Sequence, residues 1–361
     1  MRFMLSISFL LGVSGWAGAQ VQQAPAQEER ALDTRYSLSV IDDATFYGSL
    51  RQPLPTVWNQ VLLEPSFALR RHDRFKVFTS LIGVESAYTD NTSQLRVKET
   101  YATLSAGDFD FTAGRKMVRW GTGYAFTAAG VLDPPRNPTD PTDRLNLNEG
   151  RDMVKADWVR GSNAISVAWS SAALAPANSE LHDTTALRYN VLMHGFDTSL
   201  IAGHDRGGDS FGGLTFTRVL GQAWELHGEG MWRAQAAALL GAKYTVRSGV
   251  TFIAEFYAPP NTSYYRDFSV SPLAGRQHYA FFTAGKSRLR ELPGWKEWDL
   301  SSSIVANAND RSFAGIVDVN RWFGNHFSAY LHLEIPHGAR TSDYGSAPYA
   351  SASSVGVRFQ L

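Results

Sequence analysis

Cysteine is absent from the 361-residue sequence, which excludes a disulfide framework, thiolate metal sites and a cysteine nucleophile. Neither sign of charge is in excess, because 34 Lys and Arg residues balance 34 Asp and Glu residues. A nucleic-acid-binding protein would instead carry a basic face that neutralises phosphates. Beyond the N-terminus we find no apolar run of about 18 residues, the length that a helix needs to cross a membrane. The composition therefore argues against a disulfide scaffold, a nucleic-acid-binding protein and a helical membrane protein.

The N-terminal segment has the composition of an export signal. Arg2 supplies a positive charge, residues 3–13 form a short apolar core, and residues 17–19 are small, as signal peptidase requires. The apolar core is too short to span a membrane as an anchor. We therefore predict a signal peptide over residues 1–19, followed by a flexible leader over residues 20–54 that has room for one strand.

Beyond residue 55 the sequence repeats segments of about ten residues in which apolar and polar side chains alternate. In one such segment, Leu240, Ala242, Tyr244 and Val246 alternate with Lys243, Thr245 and Arg247. A period of two places the two sets on opposite faces of a β-strand. Tight turns join the strands at one end, at Gly161, Gly221, Gly249 and Gly324. Longer connections join them at the other end, over residues 119–150, 172–184, 258–275 and 335–350.

This pattern predicts an all-β fold, a transmembrane antiparallel up-and-down β-barrel over residues 55–361. The strands of a soluble β-sandwich also alternate apolar and polar side chains. Its solvent-exposed face, however, would not carry so many charges, and its loops would not differ so consistently in length between the two ends. We count seventeen segments, whereas a barrel with both chain ends on one side needs an even number. The total is therefore 16 or 18, and residues 36–46 are the candidate eighteenth strand, paired to the last. Glu99 and Arg115 fall on apolar positions, which a β-bulge would explain.

Two stretches resemble outer-membrane β-barrels of Gram-negative bacteria. Val355, Val357, Phe359 and Leu361 share one face of the last strand, which resembles the C-terminal assembly signal of that family, although the family usually ends in Phe. Residues 114–121 precede a loop with Asp-Pro and Asn-Pro pairs, and are similar to a G-R/K-x-x-x-x-W-G motif of porin-like barrels. The resemblance implies a porin-like fold in the cell outer membrane and assembly by the barrel assembly machinery. It names no substrate.

The connection over residues 119–150 is the most distinctive part of the sequence. Its four prolines stiffen the chain and remove hydrogen-bond donors, so it cannot join the ladder of strands. We predict that it folds into the lumen as a constriction loop. The charged residues of this predicted constriction are Asp133, Arg136, Asp140, Asp143 and Arg144. An ordinary surface loop is the alternative that the sequence leaves open.

A second set of charged residues falls on the polar face of the strands by parity, and we predict that it lines the lumen. The set comprises Lys155, Asp157, Arg188, Glu225, Glu229, Lys243, Arg247, Glu255, Asp299, Asp318, Glu334 and Arg358. These charges either create a transverse electric field that orients small polar solutes, or they only provide the polar surface that a water-filled lumen requires. Their mixed signs argue against strong selectivity for anions or cations.

The sequence favours a porin-like channel for passive diffusion of small hydrophilic solutes, because a barrel of 16–18 strands encloses an aqueous channel. Two alternatives stay open: a non-conducting barrel that binds or helps export a surface polymer, and a barrel enzyme. The histidines lack zinc-binding spacing, and we recognise no strand-turn-helix nucleophile elbow, so we expect no enzymatic activity, cofactor or metal. The expected partners are outer-membrane lipid, the assembly machinery and the solutes. The oligomeric state is open, with a trimer among the options.

Overall fold

The computed structural model describes residues 32–52, 55–72, 74–87, 92–173, 183–206, 208–259, 277–289 and 294–361. The predicted signal peptide lies outside these ranges. So do most residues of the long connections predicted over 172–184 and 258–275.

The described chain forms one closed antiparallel β-barrel of eighteen strands. The strands are β1 (Asp33–Gly48), β2 (Val57–Arg71), β3 (Phe75–Ala87), β4 (Thr92–Ala106), β5 (Phe109–Lys116), β6 (Arg151–Arg160), β7 (Asn163–Ser171), β8 (Thr184–Met193), β9 (Phe196–Asp205), β10 (Ser210–Leu220), β11 (Trp224–Arg233), β12 (Gln235–Thr245), β13 (Thr251–Ala258), β14 (Tyr279–Lys286), β15 (Trp298–Asn307), β16 (Ser312–Phe323), β17 (Phe327–His337) and β18 (Ser351–Gln360). Each strand pairs with its sequence neighbours. This confirms the predicted fold class. The number of strands is the higher of the two predicted totals, 16 and 18.

The barrel closes where β1 pairs with β18. The pairing runs from Ser39 opposite Gln360 to Gly48 opposite Ser351, and the Leu361 N–H donates to the Leu38 carbonyl at 2.9 Å. The candidate eighteenth strand, residues 36–46, therefore lies within β1, and the barrel wall begins at Asp33. Closure removes the unpaired edges that an open sheet would expose.

The outer face of the wall is apolar, as the alternation predicts. Leu240 in the middle of β12 is 62% exposed and pairs with the equally outward Phe256 of β13. Other exposed apolar side chains on this face are Leu200, Leu214, Trp232, Phe282 and Leu331. A surface of this kind is unfavourable in water and matches hydrocarbon, where all backbone polar groups of a closed barrel are already paired. Among the described residues, no helix is long and apolar enough to cross a membrane.

A β-bulge in β4 accounts for the irregular position of Glu99. Ser80 of β3 pairs with Glu99 while the next residue, Leu81, pairs with Val97, so Lys98 has no opposite residue. The bulge brings two consecutive charged side chains to the inside, where Lys98 binds Glu64 at 3.1 Å and Glu99 accepts the Met117 N–H at 2.7 Å. The parity change that the sequence indicated therefore has a backbone cause.

Arg115 keeps its unusual position for a different reason. It lies beside Asp152 on the neighbouring strand, with a salt bridge of 2.7 Å. The preceding Gly114 has a φ of 120°, and a Cβ there would come within 2.2 Å of the Thr100 carbonyl oxygen. Only glycine suits this backbone, which gives the first position of the sequence motif a structural role at the end of β5.

The difference in length between the two sets of connections is less regular than the sequence predicts. At the short-turn end, the connection from β14 to β15 extends over residues 287–297. At the long-loop end, a single residue, Ala234, joins β11 to β12 with a φ of 49°. The two long connections that the structure describes fully, residues 117–150 and 338–350, nevertheless lie at the same end.

We predict that an arginine on the outer face destabilises the barrel. Leu240→Arg places a charge at the middle of an outward-facing strand, and we expect it to reduce the free energy of unfolding by about 2–4 kcal/mol. Urea unfolding in lipid vesicles, followed by tryptophan fluorescence, measures this change. Ala173→Arg, in an exposed connection, is the matched control and is expected to have little effect. Equal unfolding midpoints for the two variants would show that Leu240 does not face lipid.

Candidate functional site

The connection from β5 to β6, residues 117–150, folds into the barrel, and we call it the inserted loop. It reaches both sides of the interior. Arg144 binds Asp43 of β1 at 3.2 Å, and the Ala129 N–H donates to Glu229 of β11 at 2.7 Å. The alternative of an ordinary surface loop does not fit this placement.

The inserted loop packs through its own apolar side chains. Ala125, Ala128 and Leu132 are completely buried, and the ring of Phe126 stacks on Tyr257 of β13 with centroids 5.0 Å apart. A loop that exposed these residues to water would lose the free energy of their burial. The loop is therefore bound to the wall by apolar packing as well as by polar contacts.

A second apolar contact explains why the N-terminal strands alternate poorly. Ile41, Leu62 and Ile82 lie on β1, β2 and β3 and form a buried cluster with Leu145 of the inserted loop. Their side chains face the interior, where parity arguments expect polar residues. The wall is apolar inside at this place because the loop covers it.

Two cavities flank the inserted loop. An inner vestibule of about 830 Å³ lies towards the short-turn end and is lined by Ser39, Lys286 and Trp322 among others. An outer vestibule of about 520 Å³ lies towards the long-loop end and is lined by Trp58 and Tyr349 among others. Four residues of the inserted loop line both cavities: Tyr124, Pro141, Asp143 and Arg144. We call these four residues the waist.

Tyr124 contributes a polar aromatic group to the waist. Its hydroxyl donates to Glu225 at 2.8 Å and accepts a hydrogen bond from Lys243 at 3.1 Å. Its ring lies edge-on to the buried imidazole of His227, with centroids 5.3 Å apart. Burial, followed by the Glu225 carboxylate, raises the pKa of Tyr124 far above its ordinary value. The waist therefore presents a neutral hydroxyl, which the alternation pattern had not singled out.

Arg144 is the cation of the waist, and it is paired. Its guanidinium binds Asp43 at 3.2 Å and the Ser354 hydroxyl at 3.0 Å, and it lies 3.8 Å from Asp140. Arg358 donates to the Arg144 carbonyl. Sequence reasoning missed Asp43 because β1 carries Ile41 on the same inward face, so its polar face was not recognisable.

Asp133 and Arg136 hold together the first half of the inserted loop. Asp133 is buried and accepts the Trp120 N–H at 2.6 Å, while Arg136 lies 3.4 Å from Asp133 and donates to the Tyr124 carbonyl. Burial raises the pKa of Asp133 to about 6, despite the opposing effects of the Trp120 N–H and Arg136. Both predicted constriction residues therefore organise the loop's own backbone.

Asp140 and Asp143 organise the second half. Asp140 accepts the Arg144 N–H at 3.1 Å, and burial raises its pKa. Asp143 accepts the Leu147 N–H at 3.0 Å and the Asn148 side-chain N–H at 2.8 Å. Asp143 adopts a φ of 49°, a conformation that aspartate tolerates better than most residues. These carboxylates close the turns on which Arg144 is presented.

Four of the charges predicted to line the lumen contact the inserted loop directly on the β11–β13 side. Glu229 and Glu255 accept backbone N–H groups of the loop. Glu225 and Lys243 contact the Tyr124 hydroxyl. The structure thus brings together four charges of β11, β12 and β13 that parity had placed on the polar face, but the inserted loop lies over them.

The remaining charges predicted to line the lumen are distributed along the wall. Asp299, Asp318 and Arg358 line the inner vestibule, Glu334 lines the outer vestibule, and Arg247 lines a further cavity at the short-turn mouth. Lys155 pairs with Asp157 on β6. Arg188 on β8 donates to Ser199 on β9 at 2.9 Å.

The charges that line each vestibule nearly cancel. Acidic and basic groups of the inner vestibule are equal in number: Arg144, Lys286 and Arg358 against Asp143, Asp299 and Asp318. In the outer vestibule the basic groups exceed the acidic ones by one: Arg96, Arg119, Arg136 and Arg144 against Asp140, Asp143 and Glu334. Within the described ranges, no group of three or more His, Asp or Glu side chains is placed to hold a metal ion.

The connection from β17 to β18, residues 338–350, also folds inwards. Tyr344 at the start of a short 3₁₀ helix (Tyr344–Ser346) is buried. Asp343 accepts the Tyr279 hydroxyl at 2.7 Å and the Asn307 amide at 3.0 Å. The sequence indicates that this connection is long but gives no signal that it folds inwards, because its contacts are with residues distant in sequence.

The four residues of the predicted assembly signal lie together on the outer face of β18. Val355, Val357 and Phe359 are between 37% and 49% exposed, and Leu361 follows directly after the strand. Their recognition by the assembly machinery stays a prediction. Their position on the strand that closes the barrel is consistent with that role.

The fold is similar to solved structures at low sequence identity. OccK5 (OpdH) of Pseudomonas aeruginosa has a TM-score of 0.62 at 10% identity, covering 91% of this chain and 98% of that one. OpdK of Pseudomonas aeruginosa, an outer membrane protein, was solved with vanillate and has a TM-score of 0.63 at 9% identity, covering 91% and 98%. OccAB4 of Acinetobacter baumannii has a TM-score of 0.62 at 7% identity, covering 93% and 100%. No protein-family model matches this chain, and no curated protein matches its sequence.

We predict that Asp133 makes barrel stability depend on pH in a narrow window. Because the pKa of Asp133 is raised from 3.8 to about 6 in the folded protein, the folded state retains this proton more strongly than the unfolded state. The contribution of Asp133 to stability is therefore greatest below pH 3.8, falls as the pH rises to about 6, and is constant above that.

Asp133→Asn removes this titration and is the matched variant. The difference in free energy of unfolding between wild type and Asp133→Asn, measured by urea titration in vesicles, should decrease from pH 4 to pH 6 and then level off. A difference that increases over this range would contradict a raised pKa.

Proposed function

We propose that the protein is an outer-membrane channel for passive diffusion of small hydrophilic solutes. The observation that carries the proposal is the pair of vestibules inside a closed barrel, which both border the waist of the inserted loop. An eighteen-stranded barrel is wide enough for water, and the inserted loop occupies part of that width, which favours small solutes over large ones.

The outer surface supports a location in the outer membrane of a Gram-negative bacterium. Its apolar belt requires hydrocarbon around the wall, and the apolar face of β18 is suited to recognition by the barrel assembly machinery. The likeness of the fold to OpdK, an outer membrane protein, agrees with this location.

The charges at the waist favour small polar solutes without a strong net charge. Arg144, the cation of the waist, is compensated by Asp43 and Asp140, so the local field changes sign over a short distance. Such a field orients dipolar solutes but excludes neither ion sign strongly. The presence of vanillate in the OpdK structure supports small organic molecules as the relevant size class.

The enzymatic alternative has one contact in its favour, and that contact is incomplete. His204 lies 3.3 Å from the Ser210 hydroxyl at the exposed end of β9. Among the hydrogen bonds of the described residues, none joins His204 to a carboxylate that would orient the imidazole. A serine nucleophile needs such a third group, so we propose a function without catalysis.

We predict discrete ion-conducting openings of the purified protein in planar bilayers, and a larger conductance when the inserted loop is shortened. Deletion of residues 130–145 removes three of the four waist residues and should raise single-channel conductance about two- to threefold, because the barrel then sets the width. Heat-modifiable migration on gels controls for folding. A folded, inserted but silent wild-type protein would support the non-conducting alternative.

We also predict that Arg144 keeps the channel weakly selective. Arg144→Gln leaves Asp43 and Asp140 without their cation, so the ratio of potassium to chloride permeability should rise by about two- to fivefold. The reversal potential in a potassium chloride gradient measures this ratio. Arg35→Gln is the matched control, because Arg35 forms an exposed pair with Asp33 at the start of β1 and lines neither vestibule. A reversal potential unchanged by Arg144→Gln would place the arginine away from the ion path.

A further inference from the structure

We propose that Glu229 and Glu255 are the positioning residues of the waist: they bind the backbone of residues 122–129 and thereby fix the place of Tyr124 in the channel. This inference rests on the proposed function, since it assigns the residues that hold the part of the inserted loop between the two vestibules. It differs from the expectation that both glutamates face solutes as free lumen charges.

Glu229 of β11 binds the inserted loop with both carboxylate oxygens. Its Oε1 accepts the N–H groups of Thr122 and Gly123, the latter at 2.8 Å. Its Oε2 accepts the N–H groups of Ala128 and Ala129, at 2.6 and 2.7 Å. One side chain therefore binds two turns of the loop at once.

Glu255 of β13 binds the segment between those two turns. It accepts the backbone N–H groups of Tyr124, Ala125 and Phe126, the second at 2.9 Å. The buried His227 imidazole lies 3.0 Å from the same carboxylate. Together the two glutamates accept seven backbone N–H groups from eight consecutive residues of the loop.

The composition of the segment fits this binding mode. Gly121 and Gly123 allow the backbone to approach closely: a Cβ at Gly123 would lie 2.3 Å from the Phe126 carbonyl oxygen and 2.8 Å from Leu239 of β12. Successive N–H groups that converge on one anion form a concave binding site, and bonds to an ionised acceptor are stronger than bonds between neutral groups. The small residues thus allow the wall carboxylates to serve as the loop's hydrogen-bond partners.

The position of Tyr124 follows from these contacts. Its own N–H is bound by Glu255 and the preceding N–H by Glu229, so its Cα lies between the two anchors. Its hydroxyl reaches Glu225 on β11. Arg144, at the other side of the waist, is bound separately by Asp43 of β1. The width of the waist is therefore defined by anchors on opposite walls of the barrel.

Glutamine variants test this assignment. Glu229→Gln replaces one acceptor oxygen by an N–H₂ group that repels the loop N–H groups, and Glu255→Gln does the same. We expect either variant to increase single-channel conductance about twofold and to increase open-channel noise. Glu297→Gln is the matched control, since Glu297 lies in the exposed connection before β15, 3.9 Å from Arg288, and we expect wild-type conductance. Wild-type conductance and noise in Glu229→Gln would overturn the proposal.

A thiol-protection measurement tests the same assignment without relying on conduction. Because the chain has no cysteine, Ala129→Cys places a single thiol at a fully buried position of the inserted loop. A water-soluble maleimide should label it slowly in the otherwise wild-type protein and at least about tenfold faster when Glu229→Gln is added, since the lost bonds to a charged acceptor are strong.

Ala314→Cys, equally buried on β16 where the 3₁₀ helix of residues 344–346 packs, is the control and should stay protected in both backgrounds. Faster labelling at both positions would indicate general loss of the fold and count against a positioning role. Protection of Ala129→Cys in the Glu229→Gln background would contradict the proposal. If the protein does not conduct but labelling at Ala129 still increases, the proposed channel function fails while the anchoring role of Glu229 holds.

Discussion

The backbone ladder between β1 and β18 is the interaction on which the rest of the structure depends. Once it closes, every strand has two neighbours. The side chains then divide between an apolar outer face and an inner face that must be filled by water or by another part of the chain. The interior of eighteen strands is too wide for wall side chains to fill. The inserted loop occupies its middle, and the vestibules are part of the space that remains.

The inserted loop has backbone polar groups that must be satisfied inside the barrel without a strand ladder. Carboxylates accept these hydrogen bonds, with Glu229 and Glu255 contributed by the wall and Asp133 and Asp143 by the loop itself. Charges that a lumen would otherwise present to solutes are thus used as acceptors. The result is a waist that is bound to the wall on both sides and whose net charge is small, which suits diffusion of polar molecules better than selection of one ion sign.

The alternation of period two predicted the outer face well, as Leu240 and Phe256 illustrate. Polar side chains are unfavourable in lipid, so almost all outward positions are apolar. The same alternation was a weak signal for β1, because the apolar Ile41 faces inwards and packs against Leu145 of the inserted loop. Parity also placed Glu229 and Glu255 on the inner face, but no local pattern indicates that a loop about 100 residues earlier covers them. The contacts of Tyr124 and Asp43 depend on tertiary structure in the same way, so sequence reasoning missed both residues.

Substituted-cysteine block tests most directly whether the inserted loop forms the waist of a conducting path. Pro141 lines both vestibules, and Pro141→Cys introduces the only thiol of the chain. A charged methanethiosulfonate reagent added during single-channel recording should reduce the current in one irreversible step, from either side of the bilayer. Complete labelling of Pro141→Cys with unchanged current would show that ions pass elsewhere and would contradict a waist on the inserted loop.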